Sequence, residues 1–90
     1  MDERGLPGAD LIEAGLRDLA KGVESEAALL VSIGAPRLAS LGKNVAGAFP
    51  DAEHRLYLLL ARDDSDGAHS RYNALIRRLV SYERAAECVR

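Results

Sequence analysis

A few side chains of this chain have the chemistry to bind a metal ion. They are His54, His69, Cys88 and the acidic run at residues 63–66 (DDSD). A helical hairpin that turns near residue 65 would keep the two histidines too far apart to share an ion. An EF-hand calcium loop would place Arg62 at its first ligand position and Asn73 at its last, where the motif needs carboxylates. We therefore predict no metal site and interpret the acidic run as a turn that caps a helix.

Nucleophilic catalysis has little support in this sequence. Cys88 lies two residues from the C-terminus, where a helix end frays, so no base is held beside its thiol. No serine stands in a Gly-x-Ser-x-Gly motif, and the run at residues 42–44 (GKN) lacks the hydroxyl residue that follows the lysine of a phosphate-binding loop. We predict no catalytic residue, no cofactor-binding residue and no cofactor, and a role other than that of an enzyme is the favoured interpretation.

Four polar side chains follow one another at intervals of four residues near the C-terminus. They are His69, Asn73, Arg77 and Ser81. This spacing places them on one side of a helix, where they could line a ligand pocket or a small active site. Polar helical faces are usually just solvated, so a solvated surface is the alternative interpretation of these four residues. We keep His69, Asn73 and Arg77 as a possible polar site.

The charge of the chain is unevenly distributed. Residues 70–90 carry five Arg against two Glu, whereas residues 1–69 carry seven Lys and Arg against twelve Asp and Glu. On a helix, Arg71 with Arg78 and Arg77 with Arg84 form two lines and not one dense ridge. Nucleic-acid binding by this C-terminal segment is an alternative that we do not favour, because specific phosphate binding needs clustered cations and the net charge of the chain is −2.

The composition favours a small helical domain. Leu and Ala dominate the apolar residues, threonine is absent, and the chain has one Phe, three Tyr and no Trp, so strand-forming residues are few. Ninety residues predict a single domain. No apolar run approaches the roughly 20 residues of a membrane span, and the N-terminus does not resemble a secretory signal. With one cysteine, an internal disulfide is excluded. We expect a cytoplasmic protein with no membrane partner.

Gly and Pro divide the chain into a flexible start at residues 1–8, three short helices within residues 9–42 and a helical hairpin at residues 51–90. Asp10, Ser25 and Pro36 are the residues expected at the starts of the three short helices. Gly15 lies beside the apolar stripe of the first helix, where it predicts a close helix crossing.

The fourth segment contains six apolar residues in a row, residues 56–61 (LYLLLA). Periodicity alone does not distinguish a buried helix from a buried strand here. A helix is favoured because no β-branched residue occurs between residues 51 and 63. The alternative is a small α/β unit with strands near residues 28–33 and 55–61.

The last segment has the clearest pattern, a seam of apolar residues spaced alternately by four and three. They are Ala68, Tyr72, Leu75, Leu79, Tyr82, Ala86 and Val89. This spacing predicts a helix of about 20 residues, longer than its predecessor, so part of the seam needs another cover. Either the first three helices fold back over it, or a second copy of the chain does, in a parallel or antiparallel pairing.

We predict the second arrangement, a homodimer that acts as an interaction or scaffold module for a further, unidentified protein. Its predicted interface consists of Leu75, Leu79, Tyr82, Ala86 and Val89.

Overall fold

The computed structural model describes residues 5–88, and this part of the chain folds into five α-helices without a strand. The helices are α1 (Ala9–Ala20), α2 (Glu26–Ile33), α3 (Ala35–Ser40), α4 (Ala52–Asp63) and α5 (Ala68–Cys88). The all-α prediction is confirmed, and the strand alternative for residues 28–33 and 55–61 is wrong because both stretches are helical. Residues 1–4 and 89–90 lie outside the described part, and with them Val89 of the predicted interface and half of the predicted flexible start.

The start of α2 is fixed by its own sequence. Ser25 caps the helix as predicted, since its Oγ accepts a hydrogen bond of 3.1 Å from the backbone N–H of Ala28. The same hydroxyl donates a hydrogen bond of 2.7 Å to the Asp18 carboxylate. One side chain therefore caps α2 and ties it to α1.

The start of α1 differs from the prediction. Asp10 lies in the first turn, and the N-cap is Gly8 in the left-handed conformation, with φ of 78°. A β-carbon at Gly8 would lie 3.3 Å from the carbonyl oxygen of Arg78 and 3.7 Å from Tyr82 Cβ. Packing against α5 therefore decides where α1 begins, and this long-range contact is invisible to a local capping rule.

The core is organised around α2. Ala28, Leu29, Leu30 and Val31 are consecutive, and all four are fully buried. A helix that is buried on every side must have neighbours on every side, and α2 contacts α1, α4 and α5. The second helix is thus the centre of the molecule, although its sequence is one of the shortest helical stretches.

Helices α4 and α5 form the expected hairpin. The rings of Tyr57 and Tyr72 meet edge to face with their centroids 6.0 Å apart, which agrees with a turn near residue 65. At the turn, Asp64 Oδ1 accepts a hydrogen bond of 3.1 Å from the backbone N–H of Gly67. The acidic run therefore forms the turn between the two helices, as predicted, whereas a cap on α5 from this run stays a prediction.

The seam of α5 is covered within one chain. Leu79, Tyr82 and Ala86 are at most 3% exposed, and the α1 start at Gly8 and the α2–α3 junction at Gly34 lie against this part of α5. Leu75 is half-buried. This is the fold-back arrangement, so the predicted use of Leu79, Tyr82 and Ala86 as an interface with a second copy is corrected: these three residues supply the chain's own core. The homodimer itself stays a prediction.

Candidate functional site

The structure separates the residues of the possible polar site. His69, Asn73 and Arg77 are all exposed on α5. The Asn73 amide donates a hydrogen bond of 3.2 Å to the Nε2 of His69. Arg77 instead lines a shallow groove of about 280 Å³, together with Pro7, Gly8, Ala74, Arg78 and Ser81. The four-residue spacing is real, but it brings Arg77 and Ser81 together and leaves His69 and Asn73 outside the groove.

The arginines of α5 have different surroundings. Arg71 makes an ion pair of 3.3 Å with Glu26 of α2, so its charge is already balanced. Arg77 and Arg78 both line the 280 Å³ groove, and neither makes an ion pair with any residue in 5–88. The groove therefore offers two guanidinium groups and the Ser81 hydroxyl to a negatively charged ligand.

A second surface is apolar and lies on α4. Leu56 and Leu60 are fully buried, whereas Tyr57 is 39% and Leu58 is 49% exposed. A helix at the edge of a bundle buries one stripe, so a continuous apolar run must place some of its members outside. We call His54, Tyr57 and Leu58, which are exposed neighbours on this helix, the α4 outer face. Its apolar side chains are only partly covered within the described chain: the Tyr57 ring meets Tyr72 at one edge, and about half of Leu58 is exposed.

A third feature joins α5 to the junction of α2 and α3. We call it the Glu83 groove, a cleft of about 340 Å³. It is lined by Ile33, Gly34, Pro36, Arg37, Ile76, Leu79, Val80 and Glu83. A β-carbon at Gly34 would lie 3.0 Å from Leu79 Cδ1 and 3.1 Å from Glu83 Oε2. The missing side chain at this junction lets α5 approach and gives the groove its floor.

Glu83 is the buried carboxylate of the described chain, with 9% of its surface exposed. Burial raises the pKa of its carboxyl group, and the guanidinium of Arg37 partly opposes that rise. Arg37 itself forms an ion pair with Glu87, one turn further along α5. No donor within residues 5–88 makes a hydrogen bond to the Glu83 carboxylate.

Glu83 is not among the candidate site residues predicted from the sequence. One signal was available, since Glu83 follows the seam residue Tyr82 and lies four residues after Leu79, on the side of α5 that faces the core. A glutamate is usually solvated, however, and the α2–α3 junction that covers Glu83 is distant in sequence, so no local pattern indicates its burial.

Within residues 5–88, no three His, Cys, Asp or Glu side chains come close enough to hold a metal ion. None of the described helices is both long enough and apolar enough to cross a membrane. Comparison with known proteins found no matching family model, no similar curated protein and no similar solved structure. The three surfaces described above are therefore the features that bear on function.

Proposed function

We propose that this protein is a helical protein–protein interaction module that forms a homodimer through the α4 outer face. The observation that supports the proposal is the exposure of Tyr57 and Leu58 side by side on a helix whose opposite face forms the core. Neighbouring exposed aromatic and aliphatic side chains are typical of binding surfaces. This surface takes the place of the α5 seam, whose central residues are buried in the chain itself.

A second copy of the chain fits this surface in an antiparallel arrangement of two α4 helices. Glu53 lies near the start of α4 and Arg62 near its end, both are exposed, and neither makes an ion pair with another described residue. An antiparallel pairing places Leu58 near the centre, with Glu53 of one copy and Arg62 of the other at the same end but on opposite edges of the contact. The pairing therefore covers the apolar side chains and places opposite charges at each end of the contact, where they attract at longer range.

The size of the patch sets the strength of the association. Tyr57 and Leu58 are already about half-buried, so full burial contributes about 1 kcal/mol for each side chain and about 4 kcal/mol for two copies. The loss of translational and rotational freedom on association offsets much of this gain. The dimer is therefore expected to be weak and exchangeable, and its surface is available to another protein at low concentration.

Sedimentation equilibrium over a range of concentrations up to several hundred micromolar tests this proposal. The wild type should approach twice the 9.7 kDa of one chain as the concentration rises. Leu58→Glu should remain a monomer because it places a carboxylate at the centre of the pairing. Val23→Glu is the matched control, since Val23 is 47% exposed on the connection between α1 and α2, and it should dimerise like the wild type.

Two results would contradict the proposal. One is a wild type that stays monomeric at every concentration. The other is a dimer that Leu58→Glu and Val23→Glu affect equally, since that would place the interface elsewhere.

Nucleic-acid binding is the second candidate, and the groove with Arg77, Arg78 and Ser81 favours it. The test is binding of mixed-sequence DNA and RNA as a function of salt concentration, because phosphate contacts give a steep salt dependence. The double variant Arg77→Ala/Arg78→Ala should lose this binding. A second double variant, Arg62→Ala/Arg84→Ala, removes the same charge from other places on the surface and should retain it.

A further inference from the structure

The Glu83 side chain lines the Glu83 groove. The residue is 9% exposed, and no donor in residues 5–88 makes a hydrogen bond to it. The described chain contains no fully sealed side-chain oxygen or nitrogen that lacks a hydrogen bond. The Glu83 oxygens must therefore be accessible, and the Glu83 groove is the cleft that they line. The Glu83 carboxylate therefore has room for a hydrogen-bond donor, and the described part of the chain does not supply one.

The charged groups around the Glu83 groove do not neutralise one another. Two carboxylates, Glu83 and Glu87, face one guanidinium, Arg37, and Arg37 is engaged by Glu87. The cluster has a net charge of −1 and is one cation short of neutrality. Its remaining negative charge lies at Glu83, the more buried of the two carboxylates, where water screens it least.

The remaining walls of the groove are apolar. Ile33 and Pro36 line one side, and Ile76, Leu79 and Val80 line the other. From Ile76 to Glu83 the groove follows α5 for about 10 Å, because each helical residue rises by about 1.5 Å. A bare inorganic cation would use only the carboxylate end. An extended alkyl chain uses the whole length of these walls.

We propose that the Glu83 groove binds a small alkylammonium ion, with the ammonium group at the Glu83 carboxylate and the alkyl chain between Pro36 and Val80. The ammonium supplies the donors that Glu83 lacks and the positive charge that the cluster lacks. The alkyl chain covers Val80, which is partly exposed at the rim. This site is independent of the proposed dimer, because it uses no residue of the α4 outer face.

The first experiment is an NMR titration of the full chain, labelled with nitrogen-15, at neutral pH. Hexylammonium should give saturable shifts at the backbone amides of Gly34 and Val80. Hexanol has the same alkyl chain without the charge and should bind at least tenfold more weakly. Hexanoate has the opposite charge and should give no saturable shift at these amides.

Variants then assign the binding to Glu83. Glu83→Gln should lower the affinity for hexylammonium at least tenfold, while thermal unfolding confirms that the variant is folded. Glu13→Gln removes the same charge from an exposed position on α1 and should change the affinity less than twofold. Arg37→Gln removes the nearest competing cation and should strengthen binding severalfold, although it breaks the ion pair with Glu87.

The proposal is overturned by any of four results. Hexylammonium could give no saturable shift at Gly34 and Val80, or hexanol could bind as tightly as hexylammonium. Equal loss of affinity in Glu83→Gln and Glu13→Gln would show that binding depends on the overall charge of the protein and not on Glu83. Weaker binding by Arg37→Gln would likewise contradict the charge balance on which the site depends.

Discussion

Gly15 lies directly against Ala27 where α1 crosses α2. A β-carbon at Gly15 would lie 2.8 Å from both the carbonyl carbon of Ala27 and Cγ1 of Val31, and closer still to the Ala27 carbonyl oxygen. The two helices therefore approach through a position without a side chain. Glycine inside a helix costs about 1 kcal/mol relative to alanine, and here the close packing of α1 on the central helix offsets that cost.

Gly15→Ala should destabilise the protein by about 1–3 kcal/mol. Alanine improves helix propensity, but its methyl group collides with the backbone of α2, which cannot move as a flexible side chain does. The free energy of unfolding in urea measures this effect. Gly5→Ala is the control, because a β-carbon there meets nothing within 4 Å, and it should change the stability by less than about 0.5 kcal/mol. A Gly15→Ala variant as stable as the wild type would show that the crossing is loose.

Leu79→Ala should cost about 2–5 kcal/mol, since Leu79 is buried between α5 and the α2–α3 junction. Arg77→Ala, two residues earlier on the exposed side of α5, is the control and should cost no more than about 0.5 kcal/mol. Chemical denaturation of both variants tests the assignment of the seam to the core. Similar small effects in the two variants would contradict it.

Tyr82→Glu should prevent folding of the single chain. If the α5 seam were instead a dimer interface on the surface, this substitution would dissociate the dimer and leave the monomer folded. Tyr82 is 1% exposed, so the introduced carboxylate would be buried without a partner. Circular dichroism at low concentration measures the outcome, and a folded, helical Tyr82→Glu monomer would show that this side chain is not part of the core.

The contribution of Glu83 to stability should rise as the pH falls towards 4.5, the ordinary pKa of a Glu carboxyl group. Burial raises the pKa of the Glu83 carboxyl above its ordinary value of 4.5, so the folded state binds a proton more readily than the unfolded state. This contribution is fully present below the pKa that the Glu83 carboxyl has in the unfolded chain. It is lost as the pH rises through the pKa of the same group in the folded protein. Arg37 and Glu87 are the charged groups beside it.

Urea unfolding at several pH values measures this contribution. Glu83→Gln should be more stable than the wild type at pH 7 and should lose this part of the pH dependence. Glu13→Gln, on the exposed face of α1, should retain it. An identical pH profile for Glu83→Gln and the wild type would contradict the assignment to Glu83.

Cys88→Ser should leave the fold and the solution mass unchanged. Cys88 is a free, exposed thiol at the end of α5. The wild-type thiol should react rapidly with a thiol reagent in the folded protein, and any disulfide-linked dimer should vanish on reduction. Slow labelling, or loss of helicity in the serine variant, would contradict this description of the C-terminal turn.

The helices of this protein are largely determined by local sequence. Ser25 caps α2 because its hydroxyl accepts a hydrogen bond from the backbone N–H of Ala28, only three residues later. Pro36 lies in the first turn of α3, as expected. The absence of β-branched residues correctly favours a helix for α4, and the seam spacing correctly predicts the length of α5. These signals all act within a few residues, so a sequence contains them completely.

The candidate sites were decided by contacts between distant segments. Periodicity shows that Leu79 and Tyr82 need cover, but a folded-back chain and a second copy satisfy that need equally well, and only the packing at Gly8 and Gly34 selects the first. The packing at Gly34 also buries Glu83 beside a junction about fifty residues earlier in the chain, whereas Leu58 on α4 is left 49% exposed. Sequence therefore determined which residues form helices and which are apolar. Tertiary structure decided which surfaces remain open, because burial depends on what packs against a residue as well as on its type.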